Sequence, residues 1–468
     1  MTWFFFWILV SGLAVTLATT LFKPEKIYEY PYFMAAVFAV FIVPQAVSLI
    51  RFPGAAQPEW ITNVLLMCCL CFGACWLGYR RPSDASWQQR LSQPVKLERI
   101  FHGGLVFIFL SFFFNALIAG MSDEDRGGST WTGRVTIYAF FQGLIYPGFA
   151  ICLMTAMRTG RFIPWLATGI AAIQPIETSL FGGRREATVL FIMTLTLALF
   201  YQRGSRPPRP AIIISVILAM LAIPATGTYR GFAADRNWEG VAQIDLVDNF
   251  DNFVNQESIL ELRNAAVLIE ATRRSGSYQY GEGYWDQMVF RFVPAQVLGK
   301  EFKDFLMFHP SYEPAQDELS KLNYDVPGGS TLTGMGDSFQ QLGWFGCLFF
   351  AAIGLIFKNL FSASLQQNAI FPQLLYIQIG TSAMRTVTNQ SLDFLPGLAY
   401  YSIFLGLIYL YARVPAPRAM PDADISEPPK GRLWRKRNRK NIKNLPLHEA
   451  APYSVTAQAK VEIKKTKS

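Results

Sequence analysis

The most regular feature of this sequence is a series of long apolar runs separated by polar segments. Each run is close to the roughly 20 residues that an α-helix needs to cross a hydrocarbon core. Inside lipid the backbone must satisfy its own hydrogen bonds, so runs of this length predict helices. About eleven runs can be delimited, at residues 3–22, 32–50, 60–79, 100–119, 135–157, 162–181, 187–201, 211–227, 339–357, 370–388 and 394–412. The pattern predicts an all-α, polytopic integral membrane protein.

One long polar stretch interrupts the series and divides the chain. Transmembrane helices 1–8 are expected in residues 1–227, a large loop in 228–337, transmembrane helices 9–11 in 338–413 and a tail in 414–468. From Leu246 to Thr272 apolar residues recur every three or four positions with acidic residues between them. This spacing predicts an amphipathic helix lying on the membrane or on the mouth of the bundle. The loop is therefore expected to be partly helical.

Composition supports the membrane assignment. Hydrophobic residues make up 51% of the 468 residues and charged residues only 16%, whereas soluble proteins carry about 25% charged residues. All six cysteines, Cys68, Cys69, Cys71, Cys75, Cys152 and Cys347, lie in apolar runs. A disulfide framework in the loop is therefore excluded. Because no acid or histidine accompanies these cysteines, packing is favoured over metal binding, and no metal or cofactor is expected.

The distribution of positive charge predicts the orientation of the chain. Residues 80–99 contain five Lys and Arg, and placing them in the cytoplasm puts 27 Lys and Arg on that face by strict alternation. The opposite face, outside the large loop, then carries six. Because cytoplasmic loops are enriched in positive charge, we expect a multi-pass protein whose basic face is cytoplasmic. Its N-terminus and large loop would lie on the outer side of the membrane and its C-terminus in the cytoplasm.

The formal net charge of +9 does not indicate a nucleic-acid partner. Residues 413–468 contain 14 Lys and Arg against five acidic residues, so this tail alone accounts for the excess. Its basic run, from Arg432 to Lys443, follows a proline-rich stretch and predicts a disordered basic segment. Such tails bind anionic headgroups, so the expected partners are membrane lipids and not nucleic acid.

Candidate chemistry begins at the turn between the sixth and seventh runs. Glu177 lies near the outer end of the sixth run, and Gly182-Gly183-Arg184-Arg185 opens the seventh. Ionisable residues at membrane depth are functional candidates, and the guanidinium fork of arginine matches phosphate oxygens. The turn therefore predicts an anion site. A structural ion pair between Glu177 and Arg184 is the alternative.

Further candidates lie at the same predicted face. Arg385 ends the tenth run and is followed by Asp393. The segment Ser330–Gly346, which enters the ninth run, combines small residues with Asp337. Small residues allow close approach of backbone and ligand, although helix packing explains the last glycines equally well. The outer face also contains Arg230, Arg236, Arg291 and a single histidine, His309.

The second half of the loop is rich in aromatic residues, with ten between Tyr278 and Tyr312. Aromatic faces stack on the C–H faces of sugar rings, so the cluster is consistent with a glycan site. An interfacial aromatic belt at headgroup level is the alternative. Both interpretations stay open at this point.

These features resemble the O-antigen polymerase family, the oligosaccharide repeat-unit polymerases, which is related to the O-antigen ligases. The resemblance lies in the Gly-Gly-Arg-Arg-Glu turn, the large loop after it and the segment Ser330–Gly346. It implies metal-independent glycosyl transfer between undecaprenyl-diphosphate-linked oligosaccharides at the periplasmic face of a bacterial inner membrane, so the N-terminus and large loop would be periplasmic. The product would be a surface polysaccharide: O-antigen, capsule or exopolysaccharide. A chain-length regulator protein is a further partner that the resemblance implies.

Such a reaction assigns roles to the candidate residues. Arg184, Arg185, Arg291 and Arg385 would stabilise the departing diphosphate, with Arg230 and Arg236 as further binding residues. Glu177, Asp337 and His309, in falling order, are candidates for the base that takes the acceptor's proton. A ligase is the first alternative, because the resemblance gives ligases a loop histidine beside arginines. A transporter or flippase is the second, although the arginines gather at the outer ends instead of lining a central cavity.

Overall fold

The computed structural model describes residues 1–122, 133–258, 260–310, 314–367 and 369–414. Within these ranges the chain forms helices and no β-strand, apart from an isolated antiparallel bridge between Val95 and Arg413. The all-α class is confirmed. The predicted basic tail, apart from Val414, lies outside the described residues, as does Tyr312 of the aromatic cluster.

Twenty helices are described, and their labels follow chain order. The first nine are α1 (Thr2–Phe22), α2 (Tyr30–Arg51), α3 (Pro58–Tyr79), α4 (Ala85–Leu91), α5 (Leu97–Ala119), α6 (Arg134–Thr159), α7 (Phe162–Leu180), α8 (Arg185–Arg203) and α9 (Arg209–Ala234). The helices of the large loop are α10 (Trp238–Ala242), α11 (Leu246–Asn255), α12 (Glu261–Ser275), α13 (Glu282–Phe292), α14 (Ala295–Leu298), α15 (Lys300–Leu306) and α16 (Pro314–Ser320). The last four are α17 (Thr333–Leu342), α18 (Cys347–Ser364), α19 (Ile370–Thr388) and α20 (Phe394–Ala412).

Eight described segments are long and apolar enough to cross a membrane. They are α1, α2, α3, α5, α6, α9, the pair α17–α18, and α20 with the turn before it. The chain is therefore a polytopic α-helical membrane protein. The other three predicted spans correspond to α7, α8 and α19, which are continuous helices of 19 residues each. The count of eleven spans stays a prediction, because these three helices are not among the eight that are apolar enough by composition.

The amphipathic helix predicted from Leu246 to Thr272 is wrong in its extent. The structure divides it into α11 and α12, because Gln256 is extended and ends α11. The start of α12 is fixed from outside the loop: the backbone N–H of Leu262 donates to Gln45 on α2 over 2.9 Å. A cap supplied by a distant helix satisfies a donor that the first turn leaves unpaired. This contact cannot be predicted from the spacing of apolar residues along the chain.

Helix α12 belongs to the core of the bundle. Every residue from Leu262 to Thr272 is buried, and the helix packs against α3, α17 and α2. The amide of Asn264 donates to the Ser330 hydroxyl and the Thr331 carbonyl, and it accepts from Tyr324. Part of the large loop is thus built into the membrane-spanning bundle, which fixes the remaining loop helices at one end of it.

The glycines of the segment Ser330–Gly346 serve helix packing. A Cβ added to Gly334 would lie 1.5 Å from the carbonyl oxygen of Thr386, and one on Gly346 would lie 1.9 Å from that of Ser338. Gly343 has a φ of +59° and ends α17. Close backbone approach between α17, α18 and α19 therefore explains these small residues, as the packing interpretation predicts.

Candidate functional site

The turn between α7 and α8 is braced by the end of α9. Gly183 has a φ of +54°, and a Cβ there would lie 2.7 Å from Cγ of Arg230. The Nε of Arg230 donates to the carbonyl of Gly183 over 3.0 Å, and the hydroxyl of Tyr229 donates to the carbonyl of Leu180. The sequence needs a glycine at position 183 because both the positive φ and the close side chain exclude a Cβ.

Three arginines surround this turn with exposed side chains: Arg184, Arg230 and Arg236. Arg184 is the N-cap residue of α8. Arg236 follows the end of α9, and its neighbour Trp238 meets Phe181 of the turn with ring centroids 5.5 Å apart. Within the described chain none of the three makes an ion pair. We call Arg184, Arg230 and Arg236 the open arginine cluster.

The alternative ion pair between Glu177 and Arg184 is not formed. Glu177 lies in the last turn of α7, and its side chain is exposed. No described residue forms a salt bridge with Glu177. Arg184 is thus not neutralised by Glu177.

Arg185 differs from its neighbour Arg184. It is half-buried and lies within electrostatic range of Glu261, the first residue of α12, and of Arg230. Burial raises the pKa of Glu261, while Arg185 and a hydrogen bond from Gln45 oppose that rise. The Arg185 side chain therefore faces the loop helix, where a carboxylate competes with any bound anion.

Arg385 and Arg291 both contact Asp393. The Nη2 of Arg385 donates to Oδ2 of Asp393 over 2.6 Å, and its Nη1 donates to Glu186 over 3.3 Å. Arg291 approaches Oδ1 of Asp393 to 3.6 Å, and Gln287 donates to the same oxygen over 2.8 Å. We call Glu186, Arg385, Asp393 and Arg291 the bridged network. It joins α8, α19 and α13, and it gives both arginines a carboxylate partner.

His309 is held by two carboxylates of α13. Its Nδ1 lies 3.1 Å from Oδ2 of Asp286, and its Nε2 lies 3.7 Å from Glu282. Asp286 is buried and also accepts the backbone N–H groups of Phe308 and His309 at 2.8 and 2.9 Å. The carboxylate thus fixes both the backbone and the ring of His309, whose side chain is 33% exposed. A partly exposed imidazole oriented by a buried carboxylate is suited to proton transfer.

Asp337 and Glu177 are placed less favourably for this role. Asp337 lies on α17 with 1% exposure, where its Oδ2 accepts the N–H of Leu392 over 3.0 Å. Its Oδ1 has no hydrogen-bond partner within the described residues. It lies beneath the Ser391–Asp393 turn, out of reach of a ligand at the surface. Glu177 reaches the surface, but no described side chain orients it.

The aromatic residues of the loop fall into two groups. Tyr284 is buried and stacks on Phe349 of α18 with centroids 4.4 Å apart, and its hydroxyl lies 3.0 Å from that of Ser391. Tyr280 and Phe305 are instead 75% and 83% exposed. The buried group fixes the loop to the bundle, and only the exposed group is available to a ligand or a membrane.

Three residues of this site were missed in the sequence: Glu282, Asp286 and Gln287. The acids are spaced i, i+4, which places them on one face of a helix. That spacing is the signal that could have indicated a partner for His309. Gln287 carries no such signal, since its partner Asp393 belongs to a turn far along the chain.

The described residues contain no group of three or more His, Cys, Asp or Glu that could hold a metal ion. The six cysteines are free thiols. Comparison of the chain with protein-family models, with curated proteins and with solved structures finds no match.

Proposed function

We propose that this chain is a membrane glycosyltransferase that polymerises undecaprenyl-diphosphate-linked oligosaccharide repeat units. The polymer would be a surface polysaccharide made at the periplasmic face of a bacterial inner membrane. One observation carries the proposal: the open arginine cluster lies at the end of the bundle where the bridged network leads to His309. This arrangement offers an anion site and a base in one region.

The open arginine cluster would bind the donor's diphosphate. Arg184 directly follows Gly183 and Arg230 packs against that glycine, and neither arginine has a described carboxylate partner. Guanidinium groups stay charged and form paired hydrogen bonds to phosphate oxygens. As the glycosidic bond to the diphosphate breaks, negative charge grows on the leaving oxygen, and preorganised cations stabilise it.

His309 is the base that the geometry favours, ahead of Glu177 and Asp337. In the proposed step the acceptor's hydroxyl oxygen forms a bond to the donor's anomeric carbon, and the carbon–oxygen bond to the diphosphate breaks. The hydroxyl proton moves to Nε2 of His309, while Nδ1 keeps its own proton and donates a hydrogen bond to Asp286. The imidazolium formed would be stabilised by Asp286 and Glu282. Undecaprenyl diphosphate leaves with the bonding electrons.

Arg291 and Arg385 would have a structural role in this proposal. Both contact Asp393, so they contribute less net positive charge than the open cluster. The bridged network would instead fix α13, and with it His309, against α8 and α19. Substrate binding by these two arginines, and by Arg185, stays a prediction.

A ligase that transfers a finished glycan is the second candidate, because a His309 oriented by Asp286 would serve that reaction equally well. The two functions differ in what cells lacking this chain accumulate. Lipid-linked single repeat units would indicate a polymerase, and full-length lipid-linked chains a ligase. Re-expression of the wild-type chain, but not of a His309→Ala variant at equal membrane abundance, should restore long chains. Accumulation of neither glycolipid would contradict both functions.

The proposed orientation has its own test. Reporter fusions at residue 90 should report the cytoplasm and fusions at residue 290 the periplasm, because positive charge is concentrated around residue 90. A cytoplasmic signal at 290 would place His309 and both arginine groups on the wrong side for this reaction. A polymerase at the periplasmic face would then be untenable.

A further inference from the structure

The exposed aromatic residues of the loop continue into an apolar surface on α14 and α15. Val297 and Leu298 on α14 are 70% and 51% exposed, and Phe302 and Phe305 on α15 are 47% and 83% exposed. Two flanking residues, Trp285 and Phe308, are 52% and 61% exposed. We call these six residues the apolar foot. So much clustered apolar exposure is unusual for a surface that faces only water.

The height of the apolar foot is fixed by contacts with a membrane span. The amide of Gln296 donates to the carbonyl of Gly133, the residue directly before α6. Phe292, at the end of α13, packs edge-on against Phe140 of α6 with centroids 5.9 Å apart. Since α6 is long and apolar enough to span the bilayer, its first residues mark the membrane boundary. The foot therefore lies beside the level where hydrocarbon gives way to headgroups.

The polar groups around the foot are arranged as in an interfacial helix. Phe302 and Phe305 are three residues apart and share one face of α15. The ammonium of Lys303 is turned away from that face: it donates to the carbonyl of Phe290 over 3.0 Å and lies 4.3 Å from that ring's centroid. Trp285 donates its indole N–H to the carbonyl of Leu306 over 2.8 Å, which joins α13 to α15. The Leu306 carbonyl and the Lys303 ammonium thus form their contacts within the loop, which leaves the apolar face of α15 exposed.

We propose that the apolar foot inserts into the surrounding bilayer, at the boundary between headgroups and acyl chains of the leaflet at this end of the bundle. Three observations favour lipid over a protein partner. The chain spans the membrane, the foot lies at the boundary level, and aromatic residues beside aliphatic ones are typical of that depth. Insertion would hold residues 302–308 in place and so set the depth of His309, which follows directly. The inference does not depend on glycosyl transfer.

The test places a fluorophore at Phe305→Cys and, as a matched control on the same helix, at Lys300→Cys, whose native residue is also exposed and lies on the side of the helix away from Phe302 and Phe305. Cys69 and Cys347, the two cysteines that are not buried, are replaced by serine. The full chain is reconstituted in phosphatidylcholine nanodiscs. Lipids with a nitroxide near the top of the acyl chain should quench the probe at 305 several-fold more strongly than that at 300, and aqueous iodide should do the reverse. High salt should not change this, because insertion is apolar.

Equal quenching at both sites would overturn the proposal, because α15 would then lie in water or entirely in lipid. Protection of the 305 probe from both lipid nitroxide and iodide would also overturn it, by indicating a protein partner or a second copy. Should the Phe305 variant fail to fold, Val297→Cys on α14 repeats the measurement at a second exposed position. The readout requires no enzymatic activity, so failure here leaves the proposed function to its own tests.

Discussion

The open arginine cluster and the bridged network lie at the same end of the bundle, yet they are chemically different. Arg184 is exposed and makes no ion pair with a described residue. Arg385 is 24% exposed and contacts both Asp393 and Glu186. Both are arginines at the predicted outer end of an apolar run, so position alone does not separate them. What separates them is that Arg385 has carboxylate partners, Glu186 on α8 and Asp393 before α20, whereas Arg184 has none among the described residues.

The difference separates a stabilising role from a binding role. Asp393 is 8% exposed, so removal of its arginine partner strands a nearly buried charge. Stranding a buried charge typically costs about 3–5 kcal/mol. Removal of Arg184 leaves no described carboxylate without its partner. Its loss should therefore weaken ligand binding and leave the stability of the fold unchanged. Substitutions in the two groups should therefore affect different measurements.

The largest effect is expected from Arg385→Ala. It removes the 2.6 Å contact with Asp393 but leaves Arg291 and Gln287 beside that carboxylate. Because this residual pairing softens the penalty, we expect a loss of about 3 kcal/mol in unfolding free energy, at the low end for a broken buried pair. Thermal unfolding of the purified protein in detergent measures it.

The control for this prediction is the double variant Arg385→Ala, Asp393→Asn. Removal of the stranded charge should recover much of the lost stability, which a purely ligand-binding arginine would not show. Unchanged thermal stability of Arg385→Ala, together with lost glycan synthesis, would instead return Arg385 to the substrate-binding residues.

The next effect is on activity alone. Arg184→Ala should lower glycosyl transfer about 100-fold, as removal of one preorganised charge-stabilising donor typically does. Arg184→Lys should lose roughly tenfold, because a point charge replaces the guanidinium fork. Stability should not change. The chain-length distribution of the polysaccharide and the melting temperature are the measurements.

A matched control for Arg184 is Arg161. It is also exposed and is the N-cap residue of α7, at the opposite end of the bundle. Arg161→Ala should leave chain lengths unchanged. Normal long chains from Arg184→Ala, or an equal defect in both variants, would contradict an anion site at the Gly183 turn.

A smaller effect is expected from Gly183→Ala. Its φ of +54° is unfavourable for alanine by about 1 kcal/mol, and the new Cβ would also displace Arg230, whose Cγ lies 2.7 Å away. Gly204→Ala is the control: it has a φ of +62° at the other end of α8, with nothing within 4 Å of an added Cβ. Gly204→Ala should lose only the stability that its positive φ costs, whereas Gly183→Ala should lose more stability and, unlike the control, should also lose activity. Equal activities would show that the turn need not hold Arg230.

The sequence predicted the helices better than the contacts between them. Long apolar runs have one structural solution in lipid, so the all-α class follows from length alone. The pairing of Arg291 with Asp393 joins a loop helix to a turn near the end of the chain. Nothing local distinguishes Arg291 from Arg230, which meets only a backbone carbonyl. For the same reason the sequence ranks His309 last among the candidate bases: the contact through which Asp286 orients it cannot be inferred from periodicity.

The smallest effect concerns a third arrangement, in which paired arginines are themselves half exposed. Glu270, in the core helix α12, is 3% exposed and contacts Arg273 at 3.0 Å and Arg274 at 2.7 Å, whose side chains are 48% and 52% exposed. Burial alone would raise the pKa of Glu270, but the hydrogen bonds from Arg273 and Arg274 outweigh it and lower that pKa below 4.5. The carboxylate therefore adds stability above pH 4.5, and this is lost as the pH falls through the lowered pKa.

Glu270→Gln should accordingly cost about 1 kcal/mol at pH 7, less than a fully buried pair because water screens both arginines. The difference from the wild-type chain should shrink toward zero in acid, once the native carboxylate is protonated as well. Glu261→Gln, at the other end of α12, should behave oppositely: burial raises the pKa of Glu261, so the amide should stabilise the protein at pH 7 and lose this advantage in acid. Melting temperatures of the three proteins between pH 2.5 and 8 measure both signs, because the change at Glu270 falls below pH 4.5. Parallel curves for all three proteins would contradict this prediction, because they would show that the charge of Glu270 does not affect stability when its arginine partners are half exposed.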